Sequence, residues 1–171
     1  MQLVLARYGS VPQVARFLFT APFQQFCRGE AVIVTTNRGE ELVQVLETTS
    51  TSEELETTGE VLRMATQEDI DRMEQLRSNA EQQFIEWSQR IRDWGVQLEL
   101  IDTEWTLSDR LILYVLNGRD AETTRLALLA AANGFGIVHV QPVNADGIIP
   151  LETKSGCGTG GYGKGGCGCK H

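Results

Sequence analysis

Three of the four cysteines, Cys157, Cys167 and Cys169, gather with His171 at the C-terminal end, in Gly156-Cys157-Gly158 and Gly166-Cys167-Gly168-Cys169-Lys170-His171. A Cys-x-Cys pair brings two sulfurs together without helical constraint, and flanking glycines let the backbone bend around a small ion. Lys164 and Lys170 favour the thiolate, which is the metal-binding form. Three thiolates with His171 supply the four ligands of a tetrahedral zinc site, and three thiolates with a ligand from outside would hold an iron–sulfur cluster. The doubled Cys-x-x-Cys of zinc ribbons is missing, so a reduced tail that binds nothing tightly is the competing reading. A disulfide framework is poorer still, because Cys27 lies far from the other three. Beside Phe26, Cys27 reads as a small half-buried hydrophobe.

No other residue pattern suggests chemistry. The run Gly158-Thr159-Gly160-Gly161-Tyr162-Gly163-Lys164 precedes no helix, so it lacks the helix N-terminus that a phosphate loop needs. His139 alternates within a strand pattern, where a structural histidine is the commoner role, and Ser10 and Ser108 have no nucleophile motif around them. The carboxylate pairs Glu40-Glu41 and Glu53-Glu54 read as solvating charge on polar loops. The body is therefore expected not to be an enzyme.

The 171 residues fit one ordinary domain with a small appendage, and 42% hydrophobic content suffices for a core. The division expected is 1–150 for the domain and 151–171 for a Gly/Cys-rich tail. All three lysines (154, 164 and 170) fall in the last eighteen residues, a stretch without acids, so the preceding 153 residues carry 12 arginines against 23 acids. Such an acidic body repels a phosphate backbone, and no direct nucleic-acid binding is expected of it. No run approaches the roughly 20 apolar residues of a membrane helix, and the start, Met1 to Arg7, is too short and too soon charged for a signal peptide. A cytoplasmic protein without membrane contact is expected.

The elements point to an α+β fold. Leu3–Arg7, Val14–Phe19, Ala31–Thr36 and Leu42–Leu46 read as strands of an N-terminal β-unit, with a hairpin at Asn37-Arg38-Gly39. Glu47 to Glu60 reads as a solvated, poorly ordered connection. Ile70, Met73, Leu76, Ala80, Phe84, Trp87, Ile91 and Trp94 recur every three or four residues, which predicts a helix over 67–94, N-capped by Thr66 with Asp69 in a capping box and ended by Gly95. At 1.5 Å per residue that helix is roughly 40 Å long, more than a small sheet covers. One end then projects or meets a partner, and Arg90 and Arg92 near its C-terminus are the candidate partner-binding residues. Covering the sheet is the commoner fate of Trp87 and Trp94. A strand pair over 96–105 and 110–116, a helix from Asp120 to Ala132 and a strand from Ile137 to Val143 complete a small sheet with helices on one face. Glu60–Met64 is a possible leading strand of that sheet. From Ser155 onward, where eight of the residues are glycine, the chain reads as a flexible tail.

Three stretches resemble the PSP-one C-terminal domain family, which includes a bacterial cell-fate regulator. Gly29-Glu30-Ala31-Val32-Ile33-Val34-Thr35-Thr36-Asn37-Arg38-Gly39 is similar to the family's "G-x-x-V-V-V-x-T-x-x-G", and Val61-Leu62-Arg63-Met64-Ala65-Thr66-Gln67-Glu68-Asp69 to its "I-x-R-x-A-T-x-x-D". Asp102-Thr103-Glu104-Trp105 followed by Arg110-Leu111-Ile112-Leu113-Tyr114 resembles its strand pair. The likeness fades over Arg119–Leu126, which lacks the family's aromatic and keeps only the arginines and one acid in rough position, and over Gly136–Asp146, which is stripped of the family's basic residues; the tail echoes the family's cysteines in kind but not in spacing. The resemblance implies a non-enzymatic regulatory subunit. It would associate with small regulatory partner proteins and an endoribonuclease, influence RNA processing and maturation, and be associated with an iron–sulfur cluster. A small thiol- or metal-handling protein, in which the tail does the work, is the alternative.

Overall fold

The computed structural model describes residues 2–20, 25–50, 55–116 and 120–149. The fold is α+β, as the pattern predicts. Strands β1 (Gln2–Tyr8), β2 (Gln13–Phe19), β3 (Ala31–Thr36), β4 (Gly39–Ser50) and β5 (Gly59–Met64) close a barrel in the order β1-β2-β5-β3-β4. Its interior is filled by alternating side chains, among them Val4, Ala6, Phe17, Val32, Val34, Val43 and Val45. The β3–β4 hairpin turns on Asn37-Arg38, with Thr36 paired to Gly39, and Gly39 takes a φ of 111° that favours glycine.

Two expectations are corrected here. Glu47–Ser50 is not loop: β4 runs on to Ser50 because its second half pairs with β1, from Leu5↔Glu47 to Gln2↔Ser50. Residues 51–54 lie outside the described residues. The second correction concerns β5, which does not lead the C-terminal sheet. It lies parallel to β2 and antiparallel to β3, and Gly59 passes so close to β3 that an added Cβ would meet the Thr35 carbonyl oxygen at 1.8 Å.

Helix α1 (Gln67–Asp93) follows, then β6 (Glu99–Trp105), β7 (Leu111–Leu116), helix α2 (Asp120–Ala132), β8 (Val138–Asn144) and β9 (Gly147–Ile148). The strands form a sheet ordered β6-β7-β8-β9, with β7 central as its two apolar faces require. Helix α1 ends in a Schellman pattern: Gly95 (φ 61°) donates to the Arg92 carbonyl and Val96 to that of Ile91. Trp87 and Ile91 of α1 share one cluster with Leu126 and Ala130 of α2 and with Leu113, Val115 and Val140 of the sheet, so both helices cover the same face. Ile112, Tyr114 and Val143 fill the opposite face, against Val11 of the β1–β2 turn and Ile148. The sheet is thus sandwiched between the helices and the barrel.

Candidate partner-binding cleft

The start of α1 is fixed by the residues between β5 and the helix. The Thr66 side chain accepts from the Asp69 amide (3.3 Å) while the Asp69 carboxylate accepts from the Thr66 amide and hydroxyl, both at 2.8 Å. Arg63 then grips both Asp69 oxygens, at 2.5 and 2.9 Å. The Arg63 hydrogen bonds, followed by those of Thr66, hold the Asp69 carboxyl well below its ordinary range. The Arg-x-Ala-Thr-x-x-Asp motif is accordingly a lock that sets the angle at which α1 leaves the barrel.

A second lock joins barrel to sheet. Arg38 reaches from the β3–β4 turn into the interface and is only 7% exposed. Its Nε donates to Glu41 at 2.9 Å, with a second ion pair between the same two side chains, and its NH1 donates to the Tyr114 hydroxyl at 2.6 Å. That NH1 also lies 3.4 Å from Glu104, which accepts from the Tyr114 hydroxyl, and the guanidinium lies over the Tyr8 ring, 5.3 Å from its centroid. Burial works against the Arg38 charge, but the Glu41 hydrogen bond and the charges of Glu104 and Glu41 outweigh it and raise its pKa. Burial likewise raises Glu104, against the lowering pull of Arg38 and the Tyr114 hydrogen bond, and it raises Tyr114. One guanidinium serves two carboxylates here. Around the network the two hairpins clasp each other: the Glu40 amide donates to Ser108 Oγ (2.8 Å) and Arg110 to the Asn37 carbonyl (3.2 Å).

Where barrel, α1 and β6 diverge, they enclose an open cleft of about 580 Å³. Arg7, Tyr8, Ser10, Leu42 and Gln44 line its barrel side; Ile70, Met73, Glu74, Arg77 and Glu81 line its helix side; Asp102, Thr103, Glu104 and Trp105 border it from β6. The C-terminal half of α1 buries Trp87 and Ile91 on the sheet, whereas Ile70, Met73 and Leu76 in the N-terminal half are only half-buried. The helix outruns its sheet at this end, and the cleft lies beneath the overhang.

The candidate residues at the other end of α1 are less free than the sequence implies. Arg90 lies over Trp87 (5.1 Å) and Phe135 (4.5 Å) and pairs with Glu86 at 2.8 Å, completing an aromatic cluster with Trp94. Arg92 is exposed, donates to Gln89 at 3.0 Å, and borders a shallow groove of about 310 Å³ with Phe84, Ile85 and Leu98. Cys157, Cys167, Cys169 and His171 lie outside the described residues, among which no group of three or more metal-ligating side chains is found. Cys27 is exposed rather than half-buried, because the chain turns there and Phe26 takes the core position. Glu41 is not solvating charge but 4% exposed in a strand. Burial, then the Arg38 and Arg110 charges, lower His139 below its ordinary pKa, as befits a structural histidine on β8.

An α+β protein in which a closed barrel is locked by buried charge onto a helix-covered sheet is the class this geometry defines. Residues 59–119, which take in β5, α1, β6 and β7, match the PSP1 C-terminal conserved region, the family that the motifs resemble. The match straddles both halves of the fold, since β5 is a barrel strand, and it stops where the likeness fades in sequence. No curated protein and no solved structure matches the chain. No helix among the described residues is long and apolar enough to cross a membrane.

Proposed function

We propose that this chain is a non-enzymatic regulatory or scaffold subunit of the cytoplasm that binds protein partners, in RNA processing or maturation, with α1 as its main interaction element. The overhang carries this reading: a helix of 27 residues, roughly 40 Å, seats one half on its sheet and leaves the other above an open cleft. Arg90 and Arg92 belong to the proposed surface at the seated end, Arg92 as the exposed contact beside its groove and Arg90 as the residue that holds the aromatic cluster in place. The match to the PSP1 C-terminal conserved region supports a regulatory role.

The tail is proposed to carry a metal centre, with Cys157, Cys167 and Cys169 as thiolate ligands. His171 would be the fourth ligand if the metal is zinc, and an external ligand would serve if it is an iron–sulfur cluster. Affinity purification of the full chain under anaerobic conditions, followed by intact-complex mass spectrometry and elemental analysis, tests both parts. A stoichiometric partner, lost on Arg92→Glu while thermal stability is retained, supports the regulator. Its absence refutes that reading. Iron or zinc no higher in wild type than in a Cys167→Ser, Cys169→Ser double variant refutes the metal centre.

A further inference from the structure

The cleft borders a strand edge with no partner strand among the described residues. In the order β6-β7-β8-β9, β6 has β7 as its one neighbour among them, and its residues from both faces border the cleft: Asp102 and Glu104 on the barrel side, Thr103 and Trp105 on the helix side. Side chains of both faces can border one space only where it runs along the strand's open side. The Thr106 amide donates to the Arg110 carbonyl at 3.0 Å across the hairpin, so by alternation Glu104 and Asp102 turn their backbone groups to β7 and Thr103 and Trp105 turn theirs to the cleft. The Thr103 amide agrees with that direction, since its partner is the Asp102 carboxylate, at 2.8 Å, and not β7; Thr103 itself is only 4% exposed, so this part of the edge is covered until that carboxylate moves. A bulge between Leu100 and Asp102 ends the regular edge, leaving residues 102–105, about 13 Å of strand.

We propose that this edge takes up an extended peptide segment of a partner protein as an added strand, aliphatic on the side facing Ile70 and Met73 and basic on the side facing Asp102. The proposal rests on the partner-binding reading above and adds a second surface, distinct from the Arg92 end of α1. Charge selects the occupant. Within the cleft Arg77 is paired with Glu81 (3.6 Å) and Glu104 is spent on Arg38 and Tyr114. Arg7, bonded to the neutral Gln44 (3.4 Å), keeps its charge on the barrel side, against the two carboxylates of Asp102 and Glu74, and the acidic body around them adds attraction for a cationic segment. Asp102 guards the Thr103 amide until an incoming carbonyl replaces its carboxylate, which then faces the basic side chain. Main-chain bonds would give affinity and the alternating side chains specificity.

The probe is a fluorescein-labelled, N-acetylated heptapeptide of alternating valine and lysine, titrated by fluorescence polarisation into the full-length protein. Saturable binding below about 1 mM is expected, at least tenfold weakened when one alternate set of peptide amides is N-methylated and changed less than twofold when the other set is. Replacing lysine by glutamate in the peptide, or Asp102→Asn in the protein, should weaken binding several-fold. Hydrogen exchange should show the Trp105 amide slowed by the peptide. No saturable binding, or equal binding of the two methylated sets, overturns the proposal without depending on the folding of any variant. A Trp105 amide already as slow as those of β7 in the free chain also overturns it, since the edge would then be occupied without a partner. If a purified partner is captured but the peptide does not compete with it, the regulatory reading stands and this surface falls. If no partner is captured, that reading falls instead.

Discussion

Removing Arg38 is expected to unlock the barrel from the sheet. Its side chain is 8% exposed, and those of Glu41 and Glu104 are 4% and 8% exposed. Arg38→Ala therefore strands two carboxylates away from water, and breaking a buried ion pair by deleting one partner costs about 3–5 kcal/mol. With roughly 2.1 cal/mol/K of unfolding entropy per residue over the roughly 140 described residues, that corresponds to a fall of roughly 10–17 °C in Tm. Glu104→Gln should behave oppositely. It keeps the shape, removes one of two negative charges facing a single guanidinium, and should change stability by less than about 1 kcal/mol near neutral pH. The pH dependence separates the cases. Because burial raises the folded-state pKa of Glu104 above its ordinary 4.5, the stability tied to its proton is complete below that value and is lost as pH rises through the folded-state value. Urea unfolding at pH 5 and pH 8 should show Glu104→Gln gaining on the wild type as pH rises. A loss under about 1 kcal/mol for Arg38→Ala, or an equal loss for Glu104→Gln, would refute the view that these buried charges hold the halves together.

Other substitutions probe the remaining joints. Hydrogen bonds from Arg63 and Thr66 lower the Asp69 pKa, so its contribution is present above the ordinary 3.8 and lost as pH falls below it; helical circular dichroism of the wild type should decline there, and Asp69→Asn should flatten that decline. Gly59→Ala drives a Cβ into the Thr35 backbone and should destabilise by about 3 kcal/mol, the upper end for overpacking, with a matching drop in the urea midpoint. Arg90→Ala removes the cation above Trp87 and Phe135 and should cost about 0.5–2 kcal/mol with a shift in tryptophan emission, whereas Arg92→Glu should stay within about 0.5 kcal/mol.

What the sequence discloses and what it conceals follow from the range of the interactions. Helix α1 is legible because its signals are local: the apolar period, Thr66 with Asp69, and Gly95 all lie within the segment they define. The edges of β4 and the placement of β5 are not, since Glu47–Ser50 is polar and β5 buries Val61 alone; barrel closure by β1, β2 and β3 makes both of them strands. The Arg38 network is concealed for the same reason, its guanidinium reaching partners 66 and 76 residues along the chain. One trace of it was present all the same. Glu41 shares the two-residue period of Val43 and Val45, all three buried on one face of β4, and a carboxylate at an inward position demands a cation. The period marks which charge must be paired, but only the register between hairpins distant in sequence brings Arg38 to Glu104 and Tyr114. That same juxtaposition of hairpins sets the barrel beside β6, with the cleft bordered by both.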